Sequence, residues 1–393
     1  MSTNLSKSTI DFYKNADLEK RKKEGQYMTP YNIIQKSINQ LNLTNINNIK
    51  VLEPSYGTGQ FIDLLLNSGF TNIYGIEKDK ELFELSKQQY SSLNIFNDDY
   101  LTKQFDTKFD LIIGNPPYFE FTPSKELKKI FKNVIIGRVN IYTLFVKKAI
   151  DELNYNGILS FVIPTALLSS SSFSLVRKYI LANCNILYIE KLNSNDFSDA
   201  LQQTMIFQCI KKNNNLSDDK YLVKFNNDNI LFSPDYIELN KYILNKKTIA
   251  ELGCVVKTGN IVWNQIKELL TNNEKDSTPL IYARNINTGK LIFENKQDSK
   301  KQYILNKCNK DKIKPPLIAI NRIIGSKNIS LNPVLITDKE YYYENHVNVI
   351  TGPIDILKNI LIALNNKDTF NFISKISGNT QLSKNELESF VPI

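Results

Sequence analysis

The chain has 393 residues, 49 Lys and Arg against 40 Asp and Glu, and a net charge of +9, with 42% hydrophobic and 23% charged residues. That composition belongs to a globular protein of two or three domains and excludes disordered and fibrous classes. No apolar run approaches the roughly 20 residues of a membrane helix, and the single histidine, His346, excludes His-based triads and two-His metal centres.

Other global features narrow the class further. The segment MSTNLSKSTIDFYKN has no apolar stretch of signal-peptide type. The four cysteines (Cys184, Cys209, Cys254, Cys308) are widely spaced and contain no CxxC pair. Neither a disulfide scaffold nor a zinc site is expected, and the pattern predicts a reducing, cytoplasmic setting with no metal and no membrane. Residues 1–210 hold 23 basic and 21 acidic side chains, whereas residues 211–393 hold 26 and 19. A basic C-terminal half predicts a polyanionic partner, nucleic acid before membrane. Only five of the basic residues are Arg, and Asn, Ile and Lys abound throughout. An AT-rich coding sequence gives the same bias, so the charge alone decides nothing.

In chain order, residues 1–24 are polar, end in Arg21-Lys22-Lys23 and are expected to form a flexible arm. The apolar pattern then predicts a strand at Ile49–Glu53, a helix from Phe61, a strand at Asn72–Glu77, a helix over Lys80–Tyr90 and a short strand at Asn94–Phe96. Phe109–Ile113 reads as a strand buried on both faces. A helix over Tyr142–Leu153 leads to a fifth strand at Gly157–Ile163. Such alternation predicts a doubly wound parallel α/β sheet. Ile186–Leu192 and Thr204–Ile210 add two strands with no long helix between them, closing the sheet with an antiparallel edge. From about residue 246 the periodicity weakens among short strands and Gly, Asn and Pro punctuation. The expected division is a catalytic domain over 1–245 and a smaller α+β domain over 246–393.

Two motifs carry chemistry. The first, Glu53-Pro54-Ser55-Tyr56-Gly57-Thr58-Gly59-Gln60-Phe61, joins a strand to a helix. Its glycines allow a tight turn and leave room for a ligand beside the helix N-terminus. It lacks the third glycine of the dinucleotide fingerprint and the Lys-Ser/Thr of a P-loop. Glu77 ends the next strand, where a carboxylate can accept both hydroxyls of a ribose. The second motif, Asn115-Pro116-Pro117-Tyr118, directly follows the fourth strand. Two prolines stiffen the turn, the Asn oxygen and the Pro116 carbonyl can accept both N–H bonds of an exocyclic amine, and Tyr118 can stack on a planar ring.

With both motifs in place, the chain resembles the S-adenosylmethionine-dependent DNA adenine-N6 methyltransferases. The resemblance is to the gamma arrangement, with the target-recognition domain at the C-terminus, and covers roughly residues 24–210. It implies a Rossmann-like seven-stranded methyltransferase sheet. Gly25-Gln26-Tyr27-Met28-Thr29-Pro30 resembles the motif at the methionine end of the cofactor, which implies contacts from Tyr27, Thr29 and Pro30. Glu53, Pro54, Ser55, Gly57, Gly59 and Phe61 match the cofactor loop, and Glu77 the ribose ligand. Asp99 is assigned to the cofactor's adenine edge, with Asp98 the alternative one register away. Asn115, Pro116, Pro117 and Tyr118 match the catalytic motif, Asn115 also bordering the cofactor. Gly157–Pro164 resembles the fifth-strand motif, and Phe197 falls where the family places a second ring against a flipped base.

The C-terminal half is similar only loosely, through Gly253–Asn260, Pro279–Ile286 and Gly378–Lys384, to recognition domains. If it reads DNA, Arg284 and Arg322 are its arginines for guanine contact. The partners implied are duplex DNA and a cognate restriction endonuclease, with the protein monomeric, in a prokaryotic cell or at a viral replication site. DNA cytosine-N4 and RNA adenine-N6 methylation remain alternatives, protein glutamine methylation and a catalytically silent specificity subunit less favoured ones.

Overall fold

The structure, a computed structural model, describes residues 9, 12, 19, 21, 25–135, 137, 139–193, 203–213, 218–225, 229–287, 289–293, 300–322, 331–376 and 381–393. Phe197 and residues 378–380 lie outside them. The chain forms two compact units, residues 1–222 with 232–236, and residues 223–231 with 237–393. Residues 223–231 and 237–245, expected in the first domain, therefore belong to the second unit.

The first unit is built on β1 (Lys50–Glu53), β2 (Asn72–Glu77), β3 (Asn94–Asn97), β4 (Phe109–Gly114), β5 (Leu153–Pro164), β6 (Cys184–Lys191) and β7 (Thr204–Lys211). They form one seven-stranded sheet in the order β3-β2-β1-β4-β5-β7-β6. The first five neighbours pair in parallel, and β7 runs antiparallel between β5 and β6. The last strand of the unit is thus inserted inside the sheet, and β6 forms the edge. This is the Rossmann-like methyltransferase sheet expected from the sequence. Val51, Leu52, Leu111, Ile112, Ile113, Leu159 and Phe161 are fully buried, because helices cover both faces of a doubly wound sheet.

Helices α1 (Tyr31–Asn39), α2 (Gln60–Asn67), α3 (Lys80–Ser86), α4 (Lys125–Ile130), α5 (Ile141–Glu152) and α6 (Ser174–Asn183) supply the covering layers and short outer elements. Local chemistry sets their ends. Asp79 caps α3 by accepting from the backbone of Glu81 at 2.8 Å and of Leu82 at 3.3 Å, which satisfies donors that no helical turn precedes. Ser37 of α1 bonds Ser160 of β5 at 2.8 Å, and the Gln208 amide of β7 donates to both the Ser37 carbonyl and Ser160. This buried cluster pins α1 and the segment before it to the sheet.

The chain steps outward from β1 to β3, then crosses back to place β4 on the other side of β1. The C-terminal ends of β1 and β4 therefore diverge into a crevice, the place where open α/β sheets bind ligands. The glycine loop leaves β1 there and the Asn-Pro-Pro-Tyr turn leaves β4.

The second unit contains two four-stranded sheets. In one, β8 (Val255–Thr258), β15 (Val347–Thr351), β12 (Leu317–Asn321) and β13 (Val334–Ile336) pair antiparallel in that order. In the other, β9 (Leu270–Thr271), β11 (Tyr303–Leu305), β10 (Ser277–Ile281) and β14 (Tyr342–Tyr343) lie in that order. Helices α7 (Tyr236–Ile243), α8 (Ile354–Leu364), α9 (Lys367–Ile376) and α10 (Lys384–Phe390) complete it. A capping box starts α10, in which the Glu386 amide donates to Ser383 Oγ at 3.1 Å and the Ser383 amide to the Glu386 carboxylate at 2.8 Å. No helix among the described residues is long and apolar enough to cross a membrane.

Candidate cofactor and substrate site

A cavity of about 390 Å³ opens at the crevice, lined by residues from the Gly25–Met28 segment, the glycine loop, the end of β2, Asp98–Tyr100 and the turn after β4. Its size suits a small-molecule ligand, for which sites of about 300–1,000 Å³ are usual.

The glycine loop folds as a turn held by the next strand. The Gly57 amide donates to Glu77 Oε2 at 2.8 Å and the Asp79 amide to Glu77 Oε1 at 2.7 Å. Glu77 is buried, and that burial pushes its carboxyl up to about 7 against the pull of the two backbone amides. Gly59 sits at φ +89°, and a Cβ there would fall 2.0 Å from the Tyr90 hydroxyl, so both conformation and space demand glycine. A Cβ on Gly57 would instead project towards Met28 Sδ at 3.4 Å. Gly57, Glu77, Asp98 and Asp99 all line the cavity. Asp99 accepts from Lys78 Nζ at 2.8 Å and from the Leu101 amide at 3.0 Å, and Asp98 from Lys103 Nζ at 3.1 Å.

The turn after β4 is assembled as tightly. The Asn115 side-chain amide donates to the Tyr27 carbonyl at 2.8 Å, and Ser55 Oγ donates to the Asn115 carbonyl at 3.3 Å. The Tyr118 hydroxyl is shared between the Val162 carbonyl at 2.8 Å and the Asn115 side-chain oxygen. The Tyr118 ring is 5% exposed, with Tyr27 stacked parallel at 5.9 Å and 17° and Tyr142 meeting it edge-on at 6.3 Å. Gly25 adopts φ +65°, and a Cβ on it would lie 2.7 Å from the Tyr118 amide nitrogen. That close approach locks the Gly25–Met28 segment onto the turn.

Of the residues singled out from the sequence, Tyr27, Pro54, Ser55, Gly57, Glu77, Asp99, Asn115 and Pro117 line the cavity. Thr29, Glu53 and Phe61 are buried and are not in its wall; Phe61 packs in the apolar cluster around Ile33, Ile62 and Leu65. Pro30, Gly59, Pro116 and Tyr118 also lie outside the lining. The arm expected to be flexible has two buried residues among those described, Thr9 and Arg21, and Thr9 Oγ1 meets Thr58 Oγ1 of the glycine loop at 2.6 Å. Lys78, Asp79, Leu82, Tyr100, Phe119, Ile141 and Phe145 are in the wall without having been singled out. Leu82, Ile141 and Phe145 are apolar helix residues, and their sequence pattern signals only a core-facing stripe.

In the second unit, Arg284 is exposed, with its guanidinium 5.4 Å over the Tyr282 ring. Arg322 is half-buried and donates to the Asn345 carbonyl at 2.8 Å. Arg284 is the more open of the two. Among the described residues no cluster of His, Cys, Asp and Glu is arranged to hold a metal ion.

The description "Eco57I restriction-modification methylase" fits residues 70–197, the stretch from β2 through β6 that contains the turn after β4. That stretch is similar to the restriction-modification methylases. The chain is 34% identical over 246 residues to the type II methyltransferase M.AccI of Acinetobacter calcoaceticus, covering 59% of this chain and 44% of that one. It is 28% identical to the type II methyltransferase M.CvrRI of Paramecium bursaria Chlorella virus XZ-6E, over 98% of each chain. It is 29% identical to the modification methylase CviBIII of Paramecium bursaria Chlorella virus NC1A, over 97% of each. The chain therefore spans less than half the length of the Acinetobacter relative and nearly all of the two viral ones. The cavity's donor set fits S-adenosylmethionine. A buried carboxylate faces the glycine turn, two further carboxylates lie at the end of β3, and Gly57 keeps the loop free of a side chain.

Proposed function

We propose that the protein is a site-specific DNA methyltransferase that methylates the N6 amine of an adenine flipped out of duplex DNA, alone or beside a restriction endonuclease. The observation that carries this reading is the Asn115-Pro116-Pro117-Tyr118 turn, whose Asn115 and Pro117 line the same cavity as Gly57 and Glu77.

Glu77 would hold the ribose of S-adenosylmethionine, Asp99 or Asp98 its adenine edge, and the Gly25–Met28 segment its methionine end. Bound there, the cofactor supplies an activated sulfonium methyl group. The protein's own part is positioning. Tyr27 takes the Asn115 amide N–H, which turns the Asn115 oxygen away from the Tyr27 backbone and leaves it as an acceptor. That oxygen and the Pro116 carbonyl accept the two N–H bonds of the amine, draw its lone pair out of conjugation and aim it. Holding two reacting groups in such a geometry accounts for much of a barrier's reduction without covalent or metal chemistry. Extruding a base costs about a few kcal/mol, and stacking on Tyr118 offsets about 1–3 kcal/mol of that. The parallel Tyr27 ring on Tyr118 is a planar group of the kind a base would replace. Phe197 is the candidate for the opposite face. The second unit is assigned to target recognition, with Arg284 as its open candidate base reader.

The test is nucleoside analysis of duplex DNA incubated with the protein and isotopically labelled S-adenosylmethionine. Label is expected in N6-methyladenine. Label in N4-methylcytosine would correct the base, and absence of label from DNA with cofactor binding intact would overturn the substrate.

A further inference from the structure

The second unit contains an open groove of about 760 Å³, separate from the cofactor cavity. Three stretches of chain converge on it. Lys257 comes from β8, Lys312 and Lys314 from the loop ahead of β12, and Lys384 from the first turn of α10. Asp311 is the one acidic residue in the wall.

The four lysines are not neutralised from within the described structure. None has a carboxylate within ion-pair distance among the described residues, whereas Glu238, Glu344 and Asp355 of the same unit pair with Lys375, Lys300 and Lys358. Lys312 has only a 3.4 Å contact with the Asn306 side-chain oxygen and lies 5.6 Å over the Tyr342 ring. Like charges brought together in a concavity repel one another and focus a positive field outward, an arrangement that a bound polyanion relieves. The lining also says which part of a polyanion fits. It contains no aromatic ring on which a base could stack and no arginine fork for a base edge. Lysine is a compact point charge, suited to phosphate oxygens.

We propose that this groove binds the sugar–phosphate backbone of duplex DNA through Lys257, Lys312, Lys314 and Lys384. The proposal rests on the reading of the protein as a DNA methyltransferase and locates the part of its affinity that does not depend on sequence. It assigns a function to the Lys310–Lys314 stretch, which in the sequence reads as an ordinary solvated run.

The experiment measures affinity for a duplex carrying the methylated site, and for one lacking it, across a salt series. It compares the full-length protein, the variant with all four lysines changed to Gln, and a control in which the exposed Lys246, Lys247, Lys358 and Lys367 are changed to Gln. Each lost phosphate contact lowers the slope of log affinity against log salt by about 0.9, so the groove variant should lose about 3–4 from that slope on both duplexes. Its preference for the methylated site should stay unchanged. Lys257→Gln with Lys384→Gln, which touches exposed side chains alone, should lose about half as much. A groove variant with the wild-type slope, or the same loss in the control, overturns the proposal while leaving the methyltransferase reading standing. A wild-type protein that neither binds nor methylates duplex DNA overturns both.

Discussion

The two units deploy polar groups in opposite ways. In the first, the polar side chains at the crevice are held by hydrogen bonds: Glu77 accepts from two backbone amides, the Asn115 amide donates to the Tyr27 carbonyl, and Asp99 accepts from Lys78 and the Leu101 amide. In the second, the groove lysines have no carboxylate partner among the described residues. A reaction that depends on positioning needs dipoles held within tenths of an ångström, which only mutual hydrogen bonding supplies. Long-range attraction to a polyanion needs an uncompensated field and tolerates loose side chains. The difference predicts that substitutions in the first unit act on rate and cofactor, and substitutions in the second on affinity and site choice.

The largest effect that would break this comparison is at the turn after β4. Asn115→Ala should lower methyl transfer by about 10²–10³-fold, the scale of losing one preorganised polar contact to a reacting group. Cofactor affinity, followed by calorimetry, should change little. Normal turnover would remove Asn115 from the mechanism.

Next in size is Glu77→Gln. Replacing a carboxylate that accepts charge-assisted hydrogen bonds should weaken S-adenosylmethionine binding by about 1.5–3 kcal/mol, read as an increase in Kd. Ribose hydroxyls donate to the ionised form, and burial holds this carboxyl at about 7. Cofactor affinity in the wild type should therefore fall as pH drops below about 7, by up to about tenfold per pH unit, and level off above it. The substitution should flatten that profile. The sign for stability is the reverse. Between the ordinary value of 4.5 and about 7 the unfolded chain releases this proton first, so Glu77 contributes falling stability as pH rises through that window in the cofactor-free protein.

In the second unit, Arg284→Ala should leave kcat on saturating DNA unchanged and cost about 1–3 kcal/mol of discrimination at one position of the target site. Methylation of a library of site variants measures this, and an unaltered preference would exclude Arg284 as a reader. The smallest effect sharpens the comparison from the folding side. Ser383→Ala removes the cap of α10 and should lower stability by about 1 kcal/mol, seen in denaturant unfolding, with methyl transfer at saturating substrate unaffected.

The residues themselves decided much of the first unit. The run Phe109–Ile113 is apolar at every position but Asp110 and is buried accordingly, and the glycines at 57 and 59 mark the turn because both take a positive φ and a side chain at 59 would strike Tyr90. Glu77 could be placed beside that turn because consecutive parallel strands joined by a helix are usually neighbours, as these two are. Other features depended on tertiary packing. Phe61 stands in the glycine motif as a cofactor contact would, yet the first turn of α2 rotates it into the core. The insertion of β7 between β5 and β6 follows from strand pairing, which alternating apolar residues specify in face but not in partner. Asp98 and Asp99 both reach the cavity, so a register ambiguous in sequence stays shared in space.

The second unit shows the same limit more sharply. Its strands are as short as Leu270–Thr271 and Tyr342–Tyr343, too brief for a period to emerge. Its lysines are scattered over 128 positions, from 257 to 384, and each alone looks like any solvated side chain. Sequence by itself determined the class of sheet and the turn that bends at Gly59, and it marked the motif proposed to carry the chemistry, because these rest on local conformation and on contacts between neighbouring elements. Only the tertiary structure decided which buried residues face the cavity and which distant lysines share a groove, because those depend on distances between segments that no local pattern encodes.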